Sequence, residues 1–205
     1  MPAARGGVDQ PWVFLRHGES TANLAGVLAG WNDVPLTSEG VMQARAAGAL
    51  MATQQISRVL VSDLQRAQDT ARHAVEAWVE ATGAPAPVWQ VDPALRERNL
   101  GEWQGLRVSD LRLDGRIDHI LHWHNRPPGG ESLAELMDRV LPALQAGADG
   151  QATLVVAHGG VLRGVVGLLD GMSQAEAARL RIENAIPMHR LVEMDAWARI
   201  REAAR

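Results

Sequence analysis

Apolar runs that each end in a polar cluster set the frame of this chain. Val13-Phe14-Leu15, Arg58-Val59-Leu60-Val61, residues 88–91 and Thr153-Leu154-Val155-Val156-Ala157 read as strands. Most lack alternation, as strands buried on both faces do. Between them lie segments of helical spacing. Thr37, three residues before Gly40, caps an Ala-rich helix reaching about residue 51. Ser62 or Asp63 caps a helix over 64–80, which Gly83, Pro85 and Pro87 end. Ser132 or Glu131 starts another after Pro127-Pro128-Gly129-Gly130, and an apolar helix over 161–169 follows His158-Gly159-Gly160. Residues 106–125 suggest two short helices. The tail over 182–200 reads as two strands joined near Asp195, the last at a sheet edge, with a helix over 196–205 as the competing pattern.

Strands alternating with helices imply an α/β fold. We expect a single three-layer domain over 1–205, with a mostly parallel central sheet, helices on both faces and an antiparallel edge strand. Residues 106–130 leave the alternation as a helical lid insertion. Sheets of this kind bind ligands at the carboxyl ends of their strands. Here two such ends carry a histidine: His17 after the first strand and His158 after the run 153–157.

Composition narrows the chemistry. At 205 residues the chain suits one domain, and its net charge of −4 with scattered basic residues gives no stripe for a nucleic-acid backbone. There is no cysteine, which removes disulfides, thiolate metal sites and cysteine nucleophiles. All 20 basic residues are arginine, which removes lysine chemistry. Met1 to Gln10 lacks the apolar core of a signal peptide, and no run is long enough to span a membrane. The expectation is a cytoplasmic protein with no membrane or nucleic-acid partner, a homodimer being left open. Seven Trp beside one Phe and no Tyr have no physical account at this level.

Four segments bring polar groups to one rim. They are Arg16-His17-Gly18-Glu19 continuing through Asn23 and Gly30 to Gly40; Ser62-Asp63-Leu64-Gln65-Arg66-Ala67-Gln68-Asp69-Thr70; Leu95-Arg96-Glu97-Arg98-Asn99-Leu100-Gly101-Glu102-Trp103-Gln104-Gly105; and Val155-Val156-Ala157-His158-Gly159-Gly160. Arg16 and Arg66 offer planar forks of N–H donors suited to phosphate oxygens. Two guanidinium groups near His17 would disfavour its imidazolium form and leave a neutral nucleophile, with one ring nitrogen donating to a backbone carbonyl near Gly18. His158 and the Gly159 N–H lie at a helix start, where anions are favoured, and are assigned to oxyanion stabilisation.

In kind and order these segments resemble the histidine phosphatase superfamily, which also contains the cofactor-dependent phosphoglycerate mutases, over roughly residues 12–195. The resemblance implies a phosphohistidine intermediate on His17, no cofactor and a small phosphorylated metabolite as partner. It makes Glu97 the proton donor, with Glu102 as the rival; Arg96 and Arg98 must then point away, since a facing arginine would depress the acid's pKa. It gives Asn23 and Gly30 phosphate or substrate contacts, although both types also serve plain turns. It places Trp123, His124 and Arg126 in a lid over the mouth, against ordinary packing and solvation as the alternatives. His119, His122 and His124 invite a metal reading, but no carboxylate beyond Asp114 and Asp118 completes a set, so no metal is expected. The mutases carry a longer, more basic insertion after the Glu97 motif, which Arg107, Arg112, Arg116 and Arg126 do not reproduce. Metal-independent hydrolysis of a phosphate monoester is the favoured expectation. A mutase and a non-catalytic phosphate-binding regulatory protein are the alternatives.

Overall fold

The computed structural model describes residues 9–205. Met1 to Val8, where most of the segment examined for a signal peptide and the start of the expected domain fall, lie outside the described residues. The sheet contains β1 (Gln10–Arg16), β2 (Arg58–Val61), β3 (Val88–Val91), β4 (Thr153–Ala157) and β5 (Met188–Val192) in the order β3-β2-β4-β1-β5. All pairings are parallel except β1 with β5, the antiparallel edge.

Side chains on the central strands divide strictly by parity, because successive residues of a strand face opposite sides. Val13, Leu15, Val59, Val61, Leu154 and Val156 pack under α2 (Ser38–Leu50) and α3 (Gln65–Thr82). Trp12, Phe14, Leu60, Val155 and Ala157 face α6 (Leu133–Ala146) and α7 (Gly159–Leu169). Burial on both faces explains why these strands read as unbroken apolar runs. At the far edge β3 is different, with Val88, Trp89 and Val91 all exposed. Between β3 and α6, α4 (Val108–Leu113) and α5 (Arg116–Ile120) are the two short helices the sequence suggests, and they close over a small cluster of Leu100, Trp103, Leu111 and Ile120. Among the described residues no helix is long and apolar enough to cross a membrane.

Some expectations require correction. The tail is one strand and a helix, α9 (Ala196–Ala203), rather than two strands. Trp197, Ile200 and Ala204 share one helical face and enter the α6–α7 core, where Trp197 meets Trp12 edge-on at 4.8 Å. That burial outweighs the local strand pattern. α1 (Thr21–Ala25) and α8 (Gln174–Arg179) were not anticipated, although each begins with a serine capping box, Ser20 with Asn23 and Ser173 with Glu176. Neither Ser62 nor Asp63 caps α3, whose N-cap is Leu64 without a side-chain bond. Both side chains serve the site instead.

Candidate active site

β1 and β4 pair with Arg16 opposite Ala157, so the next residues, His17 and His158, leave the sheet side by side. Their ring centroids are 5.3 Å apart. The His17 N–H donates to Ala157 O at 3.0 Å, and its carbonyl accepts from Asn184 Nδ2 at 2.7 Å. Its Nδ1 lies 2.7 Å from Gly18 O. A carbonyl can only accept, so Nδ1 carries the proton and Nε2 keeps its lone pair, as the chemistry of an attacking imidazole requires. Burial, then Arg66 and Arg16, hold this imidazole well below its ordinary pKa. It is neutral near pH 7.

The cradle is built from buried donors, with a change in how they are used. Arg16 is anchored by Nη1 to Ile182 O at 2.7 Å. Arg66, 1% exposed, gives Nη1 to Asn32 O at 3.0 Å and Nη2 to Gly30 O at 2.8 Å, so part of its fork holds the protein rather than standing wholly free for phosphate. Arg16 Nε, Arg66 Nε and His158 Nδ1 are buried and have no partner among the described residues. Buried donors are normally paired. Trp12 Nε1, Arg58 Nε and Trp197 Nε1 are likewise unpaired among the described residues, but the three nitrogens around His17 belong to two guanidinium groups and a second histidine, surroundings that favour an anion. Gly30 acts there through its carbonyl; with φ at +54° and Gln104 where a Cβ would project, it suits a residue without a side chain.

Glu97 reaches the start of α7. Oε1 accepts from Arg98 N at 2.8 Å, and the carboxylate shares Gly160 N–H at 3.0 and 3.1 Å. A Cβ at Gly160 would collide with Glu97 Oε1, so this contact requires glycine. Neither the Arg96 nor the Arg98 guanidinium pairs with the Glu97 carboxylate, although Arg98 lines a cavity beside it. Arg96 clasps Asp63, and Arg98 donates to the carbonyls of Glu131, Ile120 and Asn125. Burial pushes the Arg98 guanidinium down to about 10. Glu102, the rival acid, is exposed.

Other expected site residues have different surroundings. Asn23 uses Oδ1 to accept from Ser20 N at 3.1 Å, the turn role, and is itself exposed. Trp123 is a correction: it is 4% exposed, donates Nε1 to Ala204 O at 2.8 Å and belongs to the core rather than to a lid face. His124 is exposed, and Arg126 pairs with Glu135 at 3.2 Å. His119 bonds Asn125, and no cluster of three or more potential metal ligands occurs among the described residues. Gly159 opens α7 beside Arg16 Nε.

Sequence reasoning missed the residues that hold Glu97. Trp31 Nε1 donates to Glu97 O at 2.6 Å. Arg139 Nη2 donates to the same carbonyl at 2.8 Å while pairing with Glu131 at 2.7 Å. The Glu97 loop is therefore clamped from two sides. Glu131 reads in the sequence only as a helix start beside Ser132, and Arg139 looks like any helix-surface arginine until the fold is known. Beside Glu97 opens a cavity of about 120 Å³ lined by Leu28, Leu100, Ile120, Leu121, Leu133 and Arg163, among others.

A fold with two strand-end histidines, flanking arginines and a clamped carboxylate defines a phosphoryl-transfer class. The sequence matches the family model for the histidine phosphatase superfamily (branch 1) over residues 12–198, and the chain belongs to that family. A 2,3-bisphosphoglycerate-dependent phosphoglycerate mutase 2 of Gloeobacter violaceus is 36% identical over 188 residues, covering 86% of this chain and 83% of that protein. A 2,3-bisphosphoglycerate-dependent phosphoglycerate mutase of Methylobacterium sp. is 34% identical over 201 residues, 93% of this chain and 95% of that one. Among solved structures, a mycobacterial glucosyl-3-phosphoglycerate phosphatase matches with TM-score 0.74 and 30% identity, covering 88% of this chain and 90% of that chain. An α-ribazole phosphatase from Shigella flexneri matches with TM-score 0.70 and 26% identity, covering 90% and 96%. This chain spans most of each relative, so overall size does not separate hydrolase from mutase.

Proposed function

We propose that the chain hydrolyses a phosphate monoester through a phosphohistidine on His17, without a metal ion and in the cytoplasm. The supporting observation is the wall beside Glu97. Leu28, Leu100, Ile120, Leu121 and Leu133 make it largely apolar, and its two arginines, Arg98 and Arg163, are engaged by backbone carbonyls. A mutase must hold a carboxylated, doubly phosphorylated intermediate there, which calls for positive charge. Arg107 and Arg112 are exposed, Arg116 is held by Asp114 and Arg126 by Glu135.

His17 Nε2 attacks phosphorus as the ester P–O bond breaks, and the departing oxygen takes a proton from Glu97. Arg16, Arg66 and His158 receive the non-bridging oxygens. Water then attacks the phosphohistidine, Glu97 takes its proton, and the P–N bond breaks to release phosphate and neutral His17.

The curated relatives' names favour the mutase reading, so the test must separate the two. The expected result is hydrolysis of p-nitrophenyl phosphate that survives excess EDTA and disappears in His17→Ala. Full activity in that variant would remove the nucleophile. The competing assay supplies 3-phosphoglycerate with catalytic 2,3-bisphosphoglycerate; rapid 2-phosphoglycerate formation without free phosphate would replace hydrolysis by the mutase reaction.

A further inference from the structure

Ser62 follows β2, is fully buried and has no part in the steps above. Its N–H donates to Val156 O at 3.2 Å, which fixes it against β4. Its Oγ accepts from Leu64 N at 3.3 Å and lies 2.8 Å from His158 Nε2. A hydroxyl has one proton to give, and among the described residues Nε2 is its acceptor. The reverse arrangement, with Nε2–H donating to Ser62, would leave a buried hydroxyl proton unpaired, which is disfavoured. The bond thus selects the tautomer protonated on Nδ1, the atom left unpartnered alongside Arg16 Nε and Arg66 Nε. Oxygens of a phosphate dianion only accept. To them an Nδ1–H offers a hydrogen bond, whereas the other tautomer presents a lone pair to negative charge.

We propose that Ser62 is a positioning residue whose hydroxyl, oriented by the Leu64 amide, locks His158 with its proton on Nδ1 and so aims a donor at the transferring phosphoryl group. The inference rests on the phosphoryl-transfer reading of the site, but the tautomer is a property of the free protein. Burial, then Arg66, His17 and Arg16, hold His158 well below its ordinary pKa. The ring stays neutral, and its tautomer decides what it presents.

Long-range ¹H–¹⁵N correlation spectra of histidine-labelled protein distinguish the two ring nitrogens. They should be recorded for the native chain, Ser62→Thr and Ser62→Ala, with and without inorganic phosphate, beside p-nitrophenyl phosphate kinetics. The native ring and Ser62→Thr should carry the proton on Nδ1. Ser62→Ala should shift toward Nε2–H, bind inorganic phosphate more weakly and lose roughly 10- to 100-fold in kcat. A native His158 protonated on Nε2, or a Ser62→Ala variant with unchanged tautomer and kcat, overturns the proposal. If Ser62→Ala does not fold, the native and Ser62→Thr spectra decide it. If no substrate turns over, the phosphatase reading fails while the spectra still judge Ser62.

Discussion

At the carboxyl ends of β1 and β4 the polar side chains are largely buried and tied to backbone; over the α4–α5 excursion the charged ones face water and pair nearby. His17 alone is held by Ala157, Gly18 and Asn184. Arg116 and Arg126, by contrast, make surface pairs with Asp114 and Glu135. The floor is fixed by strands that both cores grip, whereas the excursion rests on its own small cluster. Charged side chains of the second region such as Arg116 and Arg126 pair with Asp114 and Glu135 rather than with the floor, although Arg98 ties the backbone of the excursion to the Glu97 loop. In the proposed function, bond-making belongs to the first region and choice of leaving group to the second.

The strongest way to break this contrast is a pair of variants. His17→Ala should lower the p-nitrophenyl phosphate rate by about 10³-fold or more. Arg126→Ala, whose side chain is 64% exposed, should change it by less than about 3-fold and leave stability within about 0.5 kcal/mol. Comparable losses in initial rate would show that the excursion belongs to the machinery.

Next in size is Arg139→Ala, which unclamps Glu97 and strands the half-buried Glu131. The expected cost is roughly 10- to 100-fold in kcat and about 2 kcal/mol in urea unfolding. A fall in stability with unchanged kcat would separate the clamp from the chemistry.

A smaller effect is pH-dependent. Burial and the neighbouring arginines hold the folded-state pKa values of His17 and His158 well below the ordinary histidine value of about 6.5, so the unfolded chain binds their protons first. Their contribution to stability is full above about pH 6.5 and is lost as pH falls toward the folded values, by up to about 1.4 kcal/mol per histidine per pH unit. Urea midpoints at pH 7.5 and 5.5 measure it, and His17→Asn should flatten the difference. An equal difference in that variant would mean that His17 does not contribute.

The smallest expected change tests strain on the floor. Ala185 is buried with φ at +50° next to Asn184, the residue holding the His17 carbonyl. Ala185→Gly should raise the unfolding free energy by about 0.5–1 kcal/mol, read from a thermal melt, if the left-handed backbone is preserved.

The same contrast governs what the sequence disclosed. Strands buried on both faces announce themselves as apolar runs, and the residues just beyond them inherit a known place at the rim. That made β1, β4 and the two histidines legible. Residues acting across the fold carried no local mark: Arg139 reaches Glu97 from another element, and Ser62 read as a helix cap although its hydroxyl faces His158. Trp123 was misplaced because an aromatic beside a loop looks the same whether it faces outward or, as here, bonds Ala204 within the core. The tail helix was settled by a distant partner, Trp12.

The exposed rim of β3 has a consequence for solubility. An open strand edge with apolar side chains is a template on which a second extended chain can add. Pro87 precedes this edge and Asp92 follows it, leaving the short stretch Val88–Val91 between an imide without an N–H and a charge. Pro93, which opens a 3-10 turn directly after Asp92, closes the other end, so the edge stays four residues long where the chain turns toward Glu97.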